Sequence, residues 1–168
     1  EPNICKKIVD SLCIEKEEKV LEVGPGLGSL THFLVETGED ITVVDVDERM
    51  TFFLEIIYKD AANLDINLED IRRFDISSFD KVVGNLPYNI TTELVTYLVL
   101  GAKKAKKLVL MCQAEAFNRF HVTSGKDYGP ISILINLLGG SKKVVNVPKG
   151  MFHPVPKVDS IVFEINIT

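Results

Sequence analysis

An α/β fold with a mainly parallel sheet follows from three features of the chain. Short apolar runs alternate with helical patterns through most of its length, the order of right-handed β-α-β crossovers. The apolar run at 20–23 leads straight into Gly24-Pro25-Gly26-Leu27-Gly28, a glycine loop that opens a helix. A later run, Lys81-Val82-Val83, leads into Gly84-Asn85-Leu86-Pro87-Tyr88-Asn89-Ile90. A polar Asn, a rigid Pro and an exposed Tyr thus stand where a strand ends, and open α/β sheets bind ligands at that end of their strands.

Taken in order, residues 3–14 have Ile4, Ile8, Val9 and Leu12 on one stripe, with Asn3 as cap, and predict a helix. Val20–Val23 is a strand. The helix after the glycine loop aligns Leu30, Phe33 and Leu34 and stops at Gly38. Ile41–Val44 is the next strand, ending at Asp45, and a helix follows from 47 to 58. A polar connection at 60–66 precedes a short strand expected at 67–73, so that Phe74-Asp75-Ile76 follow a strand end. Then come the strand at 81–84, a helix at 91–100, a strand at 107–112 and a helix at 113–120. Residues 121–128 read as a polar loop and 129–139 as a buried helix. Two strands, 142–147 and 158–167, flank the Pro-rich loop 148–157 and should add an antiparallel pair at one edge. There is no internal repeat or low-complexity segment.

At 168 residues, 46% hydrophobic and 26% charged, the chain has the composition of one soluble domain. No apolar run approaches the ~18 residues of a membrane span, and no secretory leader is visible. Cys5, Cys13 and Cys112 are scattered in no metal or redox spacing, which points to a reducing, cytoplasmic setting without disulfides. The net charge of −5 is unevenly divided. Residues 1–80 hold 8 Lys and Arg against 19 Asp and Glu, a net −11; residues 81–168 hold 11 against 5, a net +6. A basic half is the footprint expected of a polyanion partner.

The chemistry concentrates at strand ends. Gly24, Gly26 and Gly28 permit close backbone approach to a ligand, although Ser29 departs from a dinucleotide fingerprint. Asp45 ends the second strand, where a carboxylate can accept both hydroxyls of a ribose. Asp75, with Ile76 beside it, could accept from an adenine amino group. Glu22 is a carboxylate inside an apolar strand and must find partners, so it is expected to hold the loop backbone. Together these residues fit an adenosine-containing cofactor. The stretch around Asn85 suits a flat ring bearing an amine: the Asn side chain and the Leu86 or Pro87 carbonyl accept from the amine, and the Tyr88 ring stacks on the face. His32, His121 and His153 have no metal-binding pattern around them.

In these residues the chain resembles the ribosomal RNA adenine dimethyltransferases, most closely the small-subunit branch. The resemblance rests on Leu21–Thr31, Asp45, Asp75 and Gly84–Ile90. It extends through Gln113, Glu115, Arg119, Tyr128-Gly129, Phe152-His153-Pro154 and Pro156-Lys157-Val158-Asp159-Ser160. It implies a Rossmann-like S-adenosylmethionine-dependent methyltransferase with a seven-stranded sheet, helices on both faces and an antiparallel last strand. Implied too is N6,N6-dimethylation of two adjacent adenosines in a hairpin loop near the 3′ end of small-subunit rRNA, by a monomer that uses S-adenosyl-L-methionine and no metal. Glu22, Gly24, Gly26, Asp45, Asp75, Ile76 and Asn85 would then meet the cofactor, with Gly24 against its methionine portion. Tyr88 and Phe152 would sandwich the target base. Arg119 belongs to the matching pattern, and Lys142, Lys143, Lys149 and Lys157, which flank the Pro-rich loop, are the further candidates for RNA contact. Asp45 stands where the branch commonly has Glu. The resemblance further implies a single catalytic domain over 1–168, without the family's N-terminal cofactor element or its C-terminal helical domain.

Three other readings compete. One is a large-subunit rRNA methyltransferase of the macrolide-resistance type, in which Ile is common where Leu86 stands. Another is a non-catalytic rRNA-binding assembly factor of the same fold. The third is a nicotinamide dehydrogenase, which the glycine loop alone would permit.

Overall fold

The computed structural model describes residues 2–151 and 157–168. Seven strands form one sheet in the order β3-β2-β1-β4-β5-β7-β6. β1 (Lys19–Val23) and β4 (Lys81–Asn85) lie side by side at its centre, and β2 (Asp40–Asp45) and β3 (Leu64–Leu68) extend it one way. β5 (Lys107–Gln113) runs parallel to β4. β7 (Ser160–Asn166) is antiparallel both to β5 and to the edge strand β6 (Ser141–Val147). The antiparallel final strand is the expected one, inserted between β5 and β6 rather than added outside them.

Period-2 alternation divides the core into two layers. Leu21, Val23, Val82, Leu108 and Leu110 face α4 (Thr91–Gly101), α5 (Ala114–His121) and α6 (Pro130–Leu138). Val20, Val43, Val83 and Val109 face α1 (Pro2–Ser11), α2 (Ser29–Glu36) and α3 (Glu48–Ile57). Burying each of these side chains contributes about 1.5–3 kcal/mol relative to exposure, which fixes the register of the central strands. The Asp47 side chain caps α3 by accepting from the Arg49 N–H. Cys112 is buried in the first layer, and burial pushes its thiol up to about 12, so it stays protonated.

One boundary differs from expectation and matters for function. β3 covers Leu64–Leu68, not 67–73. Its Leu-Asp-Ile-Asn-Leu alternation pairs in register with β2, from Ile41 opposite Leu64 to Asp45 opposite Leu68. The Glu69 N–H donates to the Asp45 carbonyl, and Asp70 then caps a 3-10 turn over Ile71–Arg73. The acidic residues that follow the third strand are therefore Glu69 and Asp70. Among the described residues, no helix is long and apolar enough to cross a membrane.

Candidate active site

The carboxyl ends of β1, β2, β3 and β4 open onto two adjoining cavities that share Gly24 and Asn85. The first, of about 320 Å³, lies over the glycine loop. Glu22, Gly24, Gly26 and Asn85 line it, and Ile4 and Ile8 of α1 roof it. Gly24 has φ +66° and donates its N–H to the Val44 carbonyl at 2.9 Å. A Cβ on Gly24 would stand 3.1 Å from the Asn85 carbonyl oxygen, so any side chain there would narrow the passage between the loop and β4. Gly28 has φ +88° and caps α2, where a Cβ would meet Leu54 at 2.7 Å. Glycine at both positions thus answers to conformation and to close packing.

The second cavity, of about 180 Å³, lies between the ends of β2, β3 and β4. Asp45, Asp70, Ile71, Asn85 and Pro87 line it. Asp45 stands between the two cavities: its Oδ2 accepts from the Gly26 N–H at 3.4 Å and its Oδ1 from the Asp47 N–H at 2.9 Å. The Arg72 side chain grips the Asp70 carboxylate, and its hydrogen bonds hold that carboxyl down at about 2. Asp70 therefore presents an ionised, acceptor-only group to the cavity at neutral pH.

Glu22 behaves differently. It is fully buried and accepts from Thr31 Oγ1 of α2 at 2.5 Å. Burial pushes its carboxyl up to about 7, with the Asp45 charge adding to the rise and the Thr31 hydrogen bond opposing it. Its partner is a helix hydroxyl, not the loop backbone expected from the sequence.

Of the residues around the central motif, Asn85 ends β4 exposed to both cavities. The Leu86 side chain is buried in the core, and its N–H donates to the Met111 carbonyl. The Pro87 carbonyl accepts from Thr91 Oγ1 at 2.8 Å. Tyr88, in the 3-10 turn that follows Pro87, is 74% exposed. Phe152, the expected second stacking residue, lies outside the described residues.

Asp75 and Ile76 do not reach either cavity. The Asp75 carboxylate accepts from the N–H and hydroxyl of Ser77, and Ile76 is buried in the core. The shift has a simple cause: the strand ends about five residues earlier than expected, so Asp70 and Ile71 hold the positions intended for Asp75 and Ile76. The strict alternation of Leu64, Ile66 and Leu68 with polar residues was the available signal. The α1 contribution had no comparable signal, because apolar residues roofing a cavity share the stripe of those facing the core.

The basic candidates separate into two groups. Lys149 and Lys157 are exposed and fall between β6 and β7, at the sheet edge where Val147 pairs with Ser160 and Ser160 with Gln113. Lys142 and Lys143 begin β6 at the opposite edge, on the order of 13 Å along the strand from Val147. Arg119 Nη1 donates to Thr92 Oγ1 of α4 at 3.3 Å. Among the described residues, no three His, Cys, Asp or Glu gather as metal ligands.

The glycine loop, the acidic residues Asp45 and Asp70, and the exposed Asn85, Pro87 and Tyr88 thus lie at one edge of the sheet. The model of the ribosomal RNA adenine dimethylase family matches residues 1–168. The chain belongs to this family. Among relatives, it is 36% identical over 163 residues to the ribosomal RNA small subunit methyltransferase A of Malacoplasma penetrans, covering 95% of this chain and 60% of that protein. Against the protein of the same name from Maridesulfovibrio salexigens the identity is 39% over 173 residues, covering 98% and 63%. The crystal structure of a dimethyladenosine transferase from Plasmodium falciparum superposes with a TM-score of 0.91 at 30% identity, covering all of this chain and 62% of that one. The fold is the Rossmann-like fold of S-adenosylmethionine-dependent methyltransferases, and the chain spans about three-fifths of the length of the curated relatives it matches.

Proposed function

We propose that the protein transfers methyl groups from S-adenosyl-L-methionine to the N6 atoms of two adjacent adenosines in a hairpin loop near the 3′ end of small-subunit rRNA, in ribosome biogenesis. The observation that carries this reading is Asn85, a polar, exposed strand end common to both cavities. The donor set fits the cofactor. Gly24 and Gly26 leave room for its methionine portion, Asp45 can accept from the ribose hydroxyls, and the ionised Asp70 can accept from the adenine amino group, with Ile71 against the ring. When bound, the cofactor supplies an electrophilic methyl group on a sulfonium.

The chain's own residues then have to position a poor nucleophile. The lone pair of an adenine amino group is delocalised into the ring. Asn85 Oδ1 accepts one of its hydrogens and the Leu86 carbonyl the other, which favours a pyramidal nitrogen with its lone pair directed at the methyl. We assign the Leu86 carbonyl because Thr91 already takes one of the two acceptor positions of the Pro87 carbonyl, which leaves it the lesser free capacity. Both acceptors also stabilise the positive charge that develops on the nitrogen, so no strong base is required. Tyr88 stacks on the flipped base, a contact worth roughly 1–3 kcal/mol. Phe152 is the proposed opposite wall. A hairpin loop makes extrusion of the base inexpensive. Lys149 and Lys157, at the same sheet edge as Asn85, are better placed to meet phosphates than Lys142 and Lys143.

The names of the relatives favour the small-subunit branch over the large-subunit alternative. Tritiated S-adenosylmethionine with unmethylated small and large ribosomal subunits, supplied together, tests the assignment. Label in paired dimethyladenosines of the small-subunit rRNA is expected. Label only in large-subunit rRNA, or no label, would overturn it.

A further inference from the structure

The Arg72 side chain is not used in the scheme above, yet it governs what Asp70 can offer the second cavity. Three donors of Arg72, one from its backbone and two from its side chain, converge on that carboxylate. The backbone N–H and Nε donate to Oδ1 at 2.9 and 3.0 Å, and Nη2 donates to Oδ2 at 2.7 Å. The remaining arm, Nη1, donates to Glu93 Oε1 of α4 at 3.0 Å. Each carboxylate oxygen has two lone pairs. Oδ1 is therefore fully engaged, while Oδ2 keeps a single acceptor position. What sets this fork apart from an ordinary cap is its place: Asp70 lines the second cavity, and Arg72 is anchored from the far side by Glu93.

We propose that Arg72 is a positioning residue for cofactor specificity. It orients Asp70 so that one Oδ2 lone pair is left for the cofactor base, which selects a ring bearing an amino group over one bearing an oxo group. The inference rests on the reading that Asp70 faces the adenine. An amino group can donate to the free lone pair, whereas the oxo group of hypoxanthine would set oxygen against oxygen. A rotating or protonated carboxyl could turn an O–H towards that oxo group and accept either base. The fork prevents the rotation and disfavours the proton. Glu93 anchors the fork from the first turn of α4, the helix that follows Tyr88–Ile90, so the cofactor wall and the target-base segment are tied through one side chain.

The fold contains its own control. Asp47 and Arg49 form the same fork, with Arg49 Nε and Nη2 on the two Asp47 oxygens, but neither residue lines the cavities. The test is calorimetric titration of the protein with S-adenosylhomocysteine and with its inosine counterpart, for the parent, R72Q, R72K, R49Q and D70A. The ratio of the two affinities is the readout, because a general loosening of the site would lower both affinities together. A hydrogen bond to a charged group implies a loss of about tenfold or more in that ratio for R72Q. R72K, which keeps the charge without the fork, should lose most of the preference as well, and R49Q should keep it. A parent-like ratio in R72K or R72Q, with D70A losing the preference, would overturn the role of Arg72. A parent-like ratio in D70A itself would instead overturn the placement of Asp70 against the adenine.

Discussion

The glycine loop after β1 and the acidic turn after β3 end parallel strands at one edge of the sheet, yet the walls they give the two cavities are built in different ways. The loop works through backbone: positive φ at Gly24, Gly26 and Gly28, and a passage to Asn85 that a single methyl would narrow. The turn works through charge: Asp70 is kept ionised and oriented by Arg72, which Glu93 holds in turn. A wall made of backbone is damaged by adding atoms, and a wall made of charge by removing them. Asn85 belongs to both, and substitution there should cost the most.

Asn85→Ala is expected to lower the methylation rate by at least about 100-fold, since it removes one of two positioned acceptors. RNA affinity should stay within about threefold, measured by filter binding beside the methylation assay. Gly24→Ala tests the backbone wall. The left-handed backbone and the 3.1 Å approach to the Asn85 carbonyl should together cost about 1–3 kcal/mol of stability, read by thermal unfolding. Added S-adenosylhomocysteine should raise the melting temperature less in this variant than in the parent.

Glu22 sharpens the contrast, as a charge-bearing group within the backbone wall. Its carboxyl stands at about 7 in the folded protein against an ordinary 4.5. Below pH 4.5 both folded and unfolded chains carry the proton and burial has no ionisation cost. Between 4.5 and 7 the folded chain retains a proton that the unfolded chain has released, so stability falls as pH rises. Above 7 the penalty is constant, on the order of 3 kcal/mol. Glu22→Gln should therefore gain stability relative to the parent as pH rises from 5 to 8, read as the difference in melting temperature at the two values. The smallest effect is expected at Asp75→Ala, which should leave the affinity for S-adenosylhomocysteine within about twofold, because the Asp75 carboxylate is engaged by Ser77 and lines neither cavity.

The same contrast explains what could be read from the chain. Glycine spacing is a local conformational signal, so Gly24, Gly26 and Gly28 were placed directly after their strand. Asp45 was legible because Ile41-Thr42-Val43-Val44 is an unbroken β-branched run that ends abruptly at a carboxylate. The turn after β3 was not, because four acids lie between residues 65 and 75 and only the pairing register with β2 decides which of them ends the strand. The fork on Asp70 and the α1 roof depend on side-chain directions in three dimensions, which residue type does not encode. Lys142 and Lys143 were grouped with Lys149 by proximity in sequence, but a strand of seven residues carries its two ends to opposite edges of the sheet.

The central claim is that one ligand spans both cavities, from the glycine loop across Asn85 to Asp70. Titrating isotope-labelled protein with S-adenosylhomocysteine and following its backbone amide resonances tests this most directly. Shifts at Gly24 and Gly26 together with shifts at Asp70 and Ile71, and a silent Ser77, are the predicted result. Shifts at Ser77 with Asp70 and Ile71 unmoved would contradict it.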